Sequence, residues 1–167
     1  MKGKTKKHVR QVPGMKNLRC QYCGATARLR SAEGIYRHGG YGVELYVCSN
    51  YPSCDSYVRV HPGTEVPVGS LADAKLRALR VRAHQHLGAL YESGLMTKQE
   101  AYSWLAFALC LPPSQTHIGY FGEHYCNLVI SECSKYMETW KHKAATRDVY
   151  LNGGGSDAAR SRAAEAR

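Results

Sequence analysis

The residues best suited to chemistry in this chain are cysteines, and four of its seven fall into two close pairs. Cys20-Gln21-Tyr22-Cys23 is followed, after a strand-rich insert, by Cys48-Ser49-Asn50-Tyr51-Pro52-Ser53-Cys54. Each pair offers both sulfurs from one tight turn, and a hairpin between them would bring the turns together into a tetrahedral thiolate site. Gly24, directly after the first pair, supplies the positive-φ freedom that such a turn demands. Four sulfurs select zinc or iron over magnesium or calcium. The longer, Pro-containing second turn favours one structural Zn2+ ion held by Cys20, Cys23, Cys48 and Cys54. Iron, disulfides and unliganded thiols are the alternatives.

Cys110, Cys126 and Cys133 remain, together with His117 and His124. A second metal site could be assembled from Cys126, His124 and His117, or a thiol nucleophile could use His117 as base. Against both, Cys126 and Cys133 fall on an apolar helical stripe, where free cysteine behaves as a small hydrophobe. The chain has no phosphate-cradling Gly-rich loop, carboxylate pair, His-Glu-x-x-His or Ser-centred elbow. The expectation is a binding protein and not an enzyme, with no catalytic residues.

The elements that must position the thiols read as an α+β chain: a small ribbon of about three short antiparallel strands, then a three-helix region. Ala25 to Arg30 and Val43 to Val47 alternate with period two, and Tyr57 to Val60 gives a third strand. Such a ribbon has too little core to fold without its metal. Ser70 is expected to cap a first helix beginning at Leu71, with Leu76, Leu79, Ala83, Leu87 and Leu90 as its buried stripe. Thr97-Lys98-Gln99-Glu100 has the form of a capping box and starts a second helix, stopped by Pro112-Pro113. A third helix, from about Gly122 to Lys143, places Cys126, Val129, Ile130, Cys133, Met137 and Trp140 along one side. These readings divide the chain into a basic arm (1–17), a ribbon (18–62), a helical domain (63–145) and a flexible tail (146–167).

The formal charge of +10 is uneven. Seven cations (Lys2, Lys4, Lys6, Lys7, Arg10, Lys16 and Arg19) precede the first cysteine, with no acid among them. A block of this kind binds a polyanion by releasing counterions, or merely solubilises the chain. On the ribbon, Arg28, Arg30, Tyr57 and Arg59 are expected to face outward, and Tyr46 joins them as a candidate ring. Guanidinium with phosphate and tyrosine with base is the chemistry of single-stranded nucleic acid. The competing reading is that about half of the ribbon's six tyrosines (Tyr22, Tyr36, Tyr41, Tyr46, Tyr51 and Tyr57) wall in the metal. Arg77 and Arg80 on the first helix could add phosphate contacts, or form a solvated face.

The second cysteine turn resembles that of the zinc ribbons repeated at the C-terminus of bacterial type I topoisomerases. The resemblance covers about residues 18 to 60 and implies a four-cysteine zinc site that holds single-stranded DNA. It does not imply strand passage, because the catalytic tyrosine and acidic metal-binding domain have no counterpart here. Over roughly residues 18 to 135 the chain is similar to a family of zinc-finger-containing domains found in bacteria and their phages. The matching pieces are the ribbon, His61-Pro62-Gly63-Thr64, Leu71 to Arg77, Ala101 to Ala106, and His117-Ile118-Gly119 followed by Cys126. That family supports the architecture and implies no activity.

The expected function is a nucleic-acid-binding accessory protein that grips single-stranded or distorted DNA, in preference to RNA, without strong base preference. The alternative is a phage-encoded module that docks on a host nucleoprotein complex and modulates it. No apolar run approaches the roughly 18 residues of a membrane span. With no secretory signal and an odd cysteine count, a soluble protein of the bacterial cytoplasm, associated with the nucleoid, is expected.

Overall fold

The computed structural model describes residues 18–152, with side chains to residue 143. Lys4, Lys6, Lys7 and Arg10, expected to supply electrostatic affinity, lie outside the described residues.

Three antiparallel strands, β1 (Ala27–Ser31), β2 (Glu44–Cys48) and β3 (Tyr57–Arg59), lie in the order β1-β2-β3. Leu29, Tyr46 and Val58 align across one face; Arg28 aligns with Val47 and Tyr57, and Arg30 with Leu45 and Arg59, across the other. The first face closes over Cys20, Cys48, Val60 and Leu71 as a small core. On the second, Leu45 and Val47 are fully buried among Ile35 and Tyr36 of the β1–β2 loop, Tyr51 of the metal turn and Tyr57 of β3. Period-two alternation holds on β1, but β2 is buried on both faces, so its polarity cannot mark an outer side.

Three helices follow: α1 (Ala74–Glu92), α2 (Lys98–Ala108) and α3 (Glu123–Asn152), with short 3-10 turns at Pro113–Gln115 and Ile118–Tyr120. Leu76, Ala83, Leu87 and Leu90 of α1 meet Ala101 and Leu105 of α2 and Cys126, Val129 and Cys133 of α3 in a second core. Thr97 and Glu100 form the expected capping box.

Three helix boundaries differ from expectation. The first helix begins at Ala74, where Asp73 accepts from the Leu76 N–H at 2.8 Å. Ser70 does not cap it, because its hydroxyl accepts from Arg80 and residues 71–72 are drawn to the sheet by a bridge between Tyr57 and Ala72. The second helix stops four residues before Pro112. Its turn is made at Cys110 (φ 52°), with the Leu111 N–H donating to the Ala106 carbonyl as in a Schellman cap. The third helix runs to Asn152, past Lys143 and into the segment expected to be a tail. Trp140 is 47% exposed, one turn beyond Met137, the last α3 residue packed on the core among the described side chains.

Two glycines let the link between ribbon and helices cross the loop before α3 at backbone contact. The Ser70 N–H donates to Gly119 O at 3.0 Å, and a Cβ on Gly69 would collide with that same carbonyl. His117-Ile118-Gly119 is therefore a packing motif. Ile118 is fully buried, and His117 Nδ1 accepts from the Gly119 N–H to cap the 3-10 turn.

Candidate metal centre and basic face

Two tight turns present the four paired thiols. In the first, the Gly24 N–H donates to Cys20 O and Gly24 takes φ 72°. In the second, the Tyr51 N–H donates to Cys48 O and the Cys54 N–H to Asn50 O. Hairpin pairing sets Ala27 opposite Cys48 and so closes one turn on the other. The sulfurs of Cys20, Cys23, Cys48 and Cys54 all lie within 4.8 Å of one another, with Cys20 and Cys54 at 3.6 Å and Cys23 and Cys48 at 3.3 Å. A tetrahedral zinc ion with bonds of about 2.3 Å sets its sulfurs about 3.8 Å apart, so the set fits the ion.

Further groups turn toward these sulfurs. Ser56 is fully buried, and its hydroxyl sits 2.9 Å from Cys20 Sγ and 3.3 Å from Cys54 Sγ. The Tyr22 N–H and the Asn50 amide donate to Cys20 and Cys23. Burial alone would push the Cys20 thiol up, but the Ser56 hydroxyl and the N–H groups of Cys23 and Tyr22 bring it down to about 6. Cys48, equally buried but without such a hydroxyl, is pushed up to about 12 by burial and by the neighbouring thiols of Cys23, Cys54 and Cys20. Nothing in the sequence marks Ser56, since a serine two residues past a cysteine is unremarkable until the turn folds.

The metal turn also holds the start of α1. Asp55 accepts from the Ala74 N–H at 3.1 Å and from Arg77 at 3.0 Å, while Arg77 donates to the Asp55 and Ala72 carbonyls. The Arg77 guanidinium also stacks 3.7 Å from the centre of the Tyr57 ring. Gln21 donates to Leu71 O, and Tyr22 Oη accepts from the Asp73 N–H.

Several expected nucleic-acid contacts are spent on structure. Arg77 is committed to Asp55 and Tyr57. Arg80 is 8% exposed and donates to Phe121 O, Ser70 O and Ser70 Oγ, so it cannot reach a phosphate. Tyr46 is 9% exposed and belongs to the ribbon core, on the face opposite the arginines. Tyr57 is half-buried between Tyr36 and Arg77. Arg28, Arg30 and Arg59 are exposed, and among the described residues none forms an ion pair. Arg30 lies over the Tyr51 ring at 6.0 Å.

The remaining thiols do not join a site. Cys126 and Cys133 are buried in the helical core, and burial raises both thiols, Cys133 to about 12. Among the described residues the paired cysteines are the one cluster able to hold a metal ion. No helix of the described residues is long and apolar enough to cross a membrane.

No curated protein and no solved structure matches the chain. A family model described as a zinc-finger-containing domain matches residues 16–136, spanning the ribbon, both cores and the loop that Gly69 crosses. With four thiols converging on one tetrahedral position inside that matched region, the chain belongs to this zinc-finger-containing family, and the cluster is its site for one structural zinc.

Proposed function

We propose that the chain is a nucleic-acid-binding accessory protein whose zinc ribbon grips the phosphate backbone without strong base preference. The observation that carries this reading is the pair of rows across the sheet, Arg30–Leu45–Arg59 and Arg28–Val47–Tyr57. Both rows bury their apolar centres, and three of their four ends are exposed arginines, the fourth being the half-buried Tyr57. The strand acid Glu44 pairs with Ser31, out of line with both rows, so neither contains a carboxylate. Uncompensated guanidinium on a small rigid frame attracts phosphate, and the seven cations before Cys20 add sequence-independent affinity. The role is binding and not catalysis, in the cytoplasm of a bacterial cell or of one infected by phage, with DNA favoured over RNA.

A gel-shift panel of single- and double-stranded DNA and RNA, run across a salt series with and without chelator, tests this. Binding that falls steeply with salt and disappears with zinc supports the reading. Salt-insensitive binding, or none, overturns it.

Phe107 favours a second reading, docking on a host nucleoprotein complex. It is 83% exposed on α2, and aromatic rings, phenylalanine included, are enriched at protein–protein interfaces. A partner retained after nuclease treatment, and lost with Phe107→Ala, would favour docking.

A further inference from the structure

We infer that the β1–β2 loop is a base-stacking contact that makes the ribbon select unpaired over paired strands; this rests on the nucleic-acid reading above. Tyr41 is 84% exposed, the most exposed large apolar side chain among the described residues. It makes no ring contact and no side-chain hydrogen bond among them. Leaving so large a ring in water gains nothing for folding, since aromatic bulk stabilises only when covered.

The backbone that carries the ring nevertheless follows a defined path. Gly39, Gly40 and Gly42 around Tyr41 all take positive φ, and a Cβ on Gly40 would press within 3.0 Å of the Ala32 backbone. Hydrogen bonds from Val43 N–H to Gly40 O and from Ala32 N–H to Val43 O close the loop's base. Ile35 and Tyr36 seal its inner side onto Leu45 and Val47. Those two residues are the centres of the arginine rows, so the loop rises from the same face as Arg28, Arg30 and Arg59. Arg37 and His38 are exposed beside it.

The combination is an exposed cationic face with an exposed ring on the loop packed against it, and it fits a strand whose bases are free. In a duplex the base faces are stacked on one another and a ring cannot reach them. In a single strand, a base stacks on tyrosine while its flanking phosphates reach arginine, at about 1–3 kcal/mol per stacked base. The ligand class is an unpaired stretch of nucleic acid, and the sugar is left to the arms of the test.

Fluorescence anisotropy with labelled dT15, rU15 and a duplex of equal length, at fixed ionic strength, measures the effect. Tyr41→Ala is expected to weaken binding of the single strands by roughly ten-fold while changing duplex binding less than about two-fold, and Tyr41→Trp to restore it. Arg28→Ala combined with Arg30→Ala should weaken single strands and duplex alike. The ratio of dT15 to rU15 affinities assigns the sugar. A wild-type protein that binds these probes while Tyr41→Ala matches it on both single strands overturns this inference alone. A wild-type protein that binds none of them overturns the nucleic-acid reading and this inference with it.

Discussion

The Ser56 hydroxyl lies 2.9 Å from the Cys20 sulfur, with no water-accessible surface of its own. A hydroxyl in that position donates to sulfur charge that the bound ion leaves on the ligand, and it sets the direction of the lone pairs. Groups of this kind commonly contribute 10- to 100-fold to metal affinity. Ser56→Ala is expected to lower zinc affinity about ten-fold in a chelator-competition titration, and Ser56→Thr to recover part of it. Cobalt substitution adds a spectroscopic check, because the sulfur-to-metal charge-transfer bands should shift in the alanine variant and not merely lose intensity.

Zinc removal should act unequally on the two cores. The ribbon's clusters of Cys20, Tyr46, Cys48, Val58 and of Ala32, Leu45, Val47 are too small to persist without the metal, whereas the helical core has its own contiguous set of leucines. Chelation, or Cys54→Ser, is expected to abolish near-ultraviolet dichroism from the ribbon tyrosines and to leave most far-ultraviolet helical signal. The loss of helix should be confined to the first turn of α1, where Asp55 and Arg77 tie it to the metal turn. Amide hydrogen exchange across residues 18–92 locates it.

Arg80 carries a charge into the interior with three hydrogen bonds and no carboxylate among its partners. Burial holds its guanidinium below the ordinary arginine value. Arg80→Met would keep much of the bulk and leave the Ser70 and Phe121 carbonyls unsatisfied. A loss of about 3 kcal/mol in denaturant unfolding is expected. Arg28→Met, on the exposed edge of the sheet, should change stability by less than about 0.5 kcal/mol.

The capping box of α2 links stability to pH. Hydrogen bonds from the Thr97 backbone and side chain hold the Glu100 carboxyl below the ordinary carboxylate value. A depressed acid contributes stability that is present above its unfolded value and is lost as the pH falls through the folded one. Thr97→Ala is expected to cost about 1 kcal/mol at neutral pH. Glu100→Gln should flatten the acid limb of the stability curve between roughly pH 5 and 3, measured by urea unfolding at a series of pH values.

The metal centre was legible because ligand chemistry leaves a spacing signature that does not depend on the rest of the fold. All four ligands, the three strands and the capping box at Thr97 could be read in this way. Boundaries governed by tertiary contacts could not. Ser70 has the local form of a cap, but a residue ten positions later claims its hydroxyl, and Asp73 takes over. Arg77 and Arg80 carry the same charge as Arg28 and Arg30, and only the packing of α1 against Asp55, Ser70 and Phe121 distinguishes clamp from surface. Tyr46 looked like its exposed counterparts because alternation fails on a strand covered from both sides. Tyr41 carries no such mark, because a tyrosine among glycines reads as punctuation until the loop's inner side is sealed by Ile35 and Tyr36.

The crossing of Gly69 over Gly119 bears on how the two halves sit. At that point the chain between ribbon and helices passes with no room for a single methyl group, and the bridges from Val60 to Pro67 and from Tyr57 to Ala72 fasten it on either side. What looks in the primary structure like a tether of prolines and glycines is in fact a rigid splice. The angle between the cationic sheet and the helical body is thus built into the backbone, and whatever lies along one is aimed in a set direction past the other.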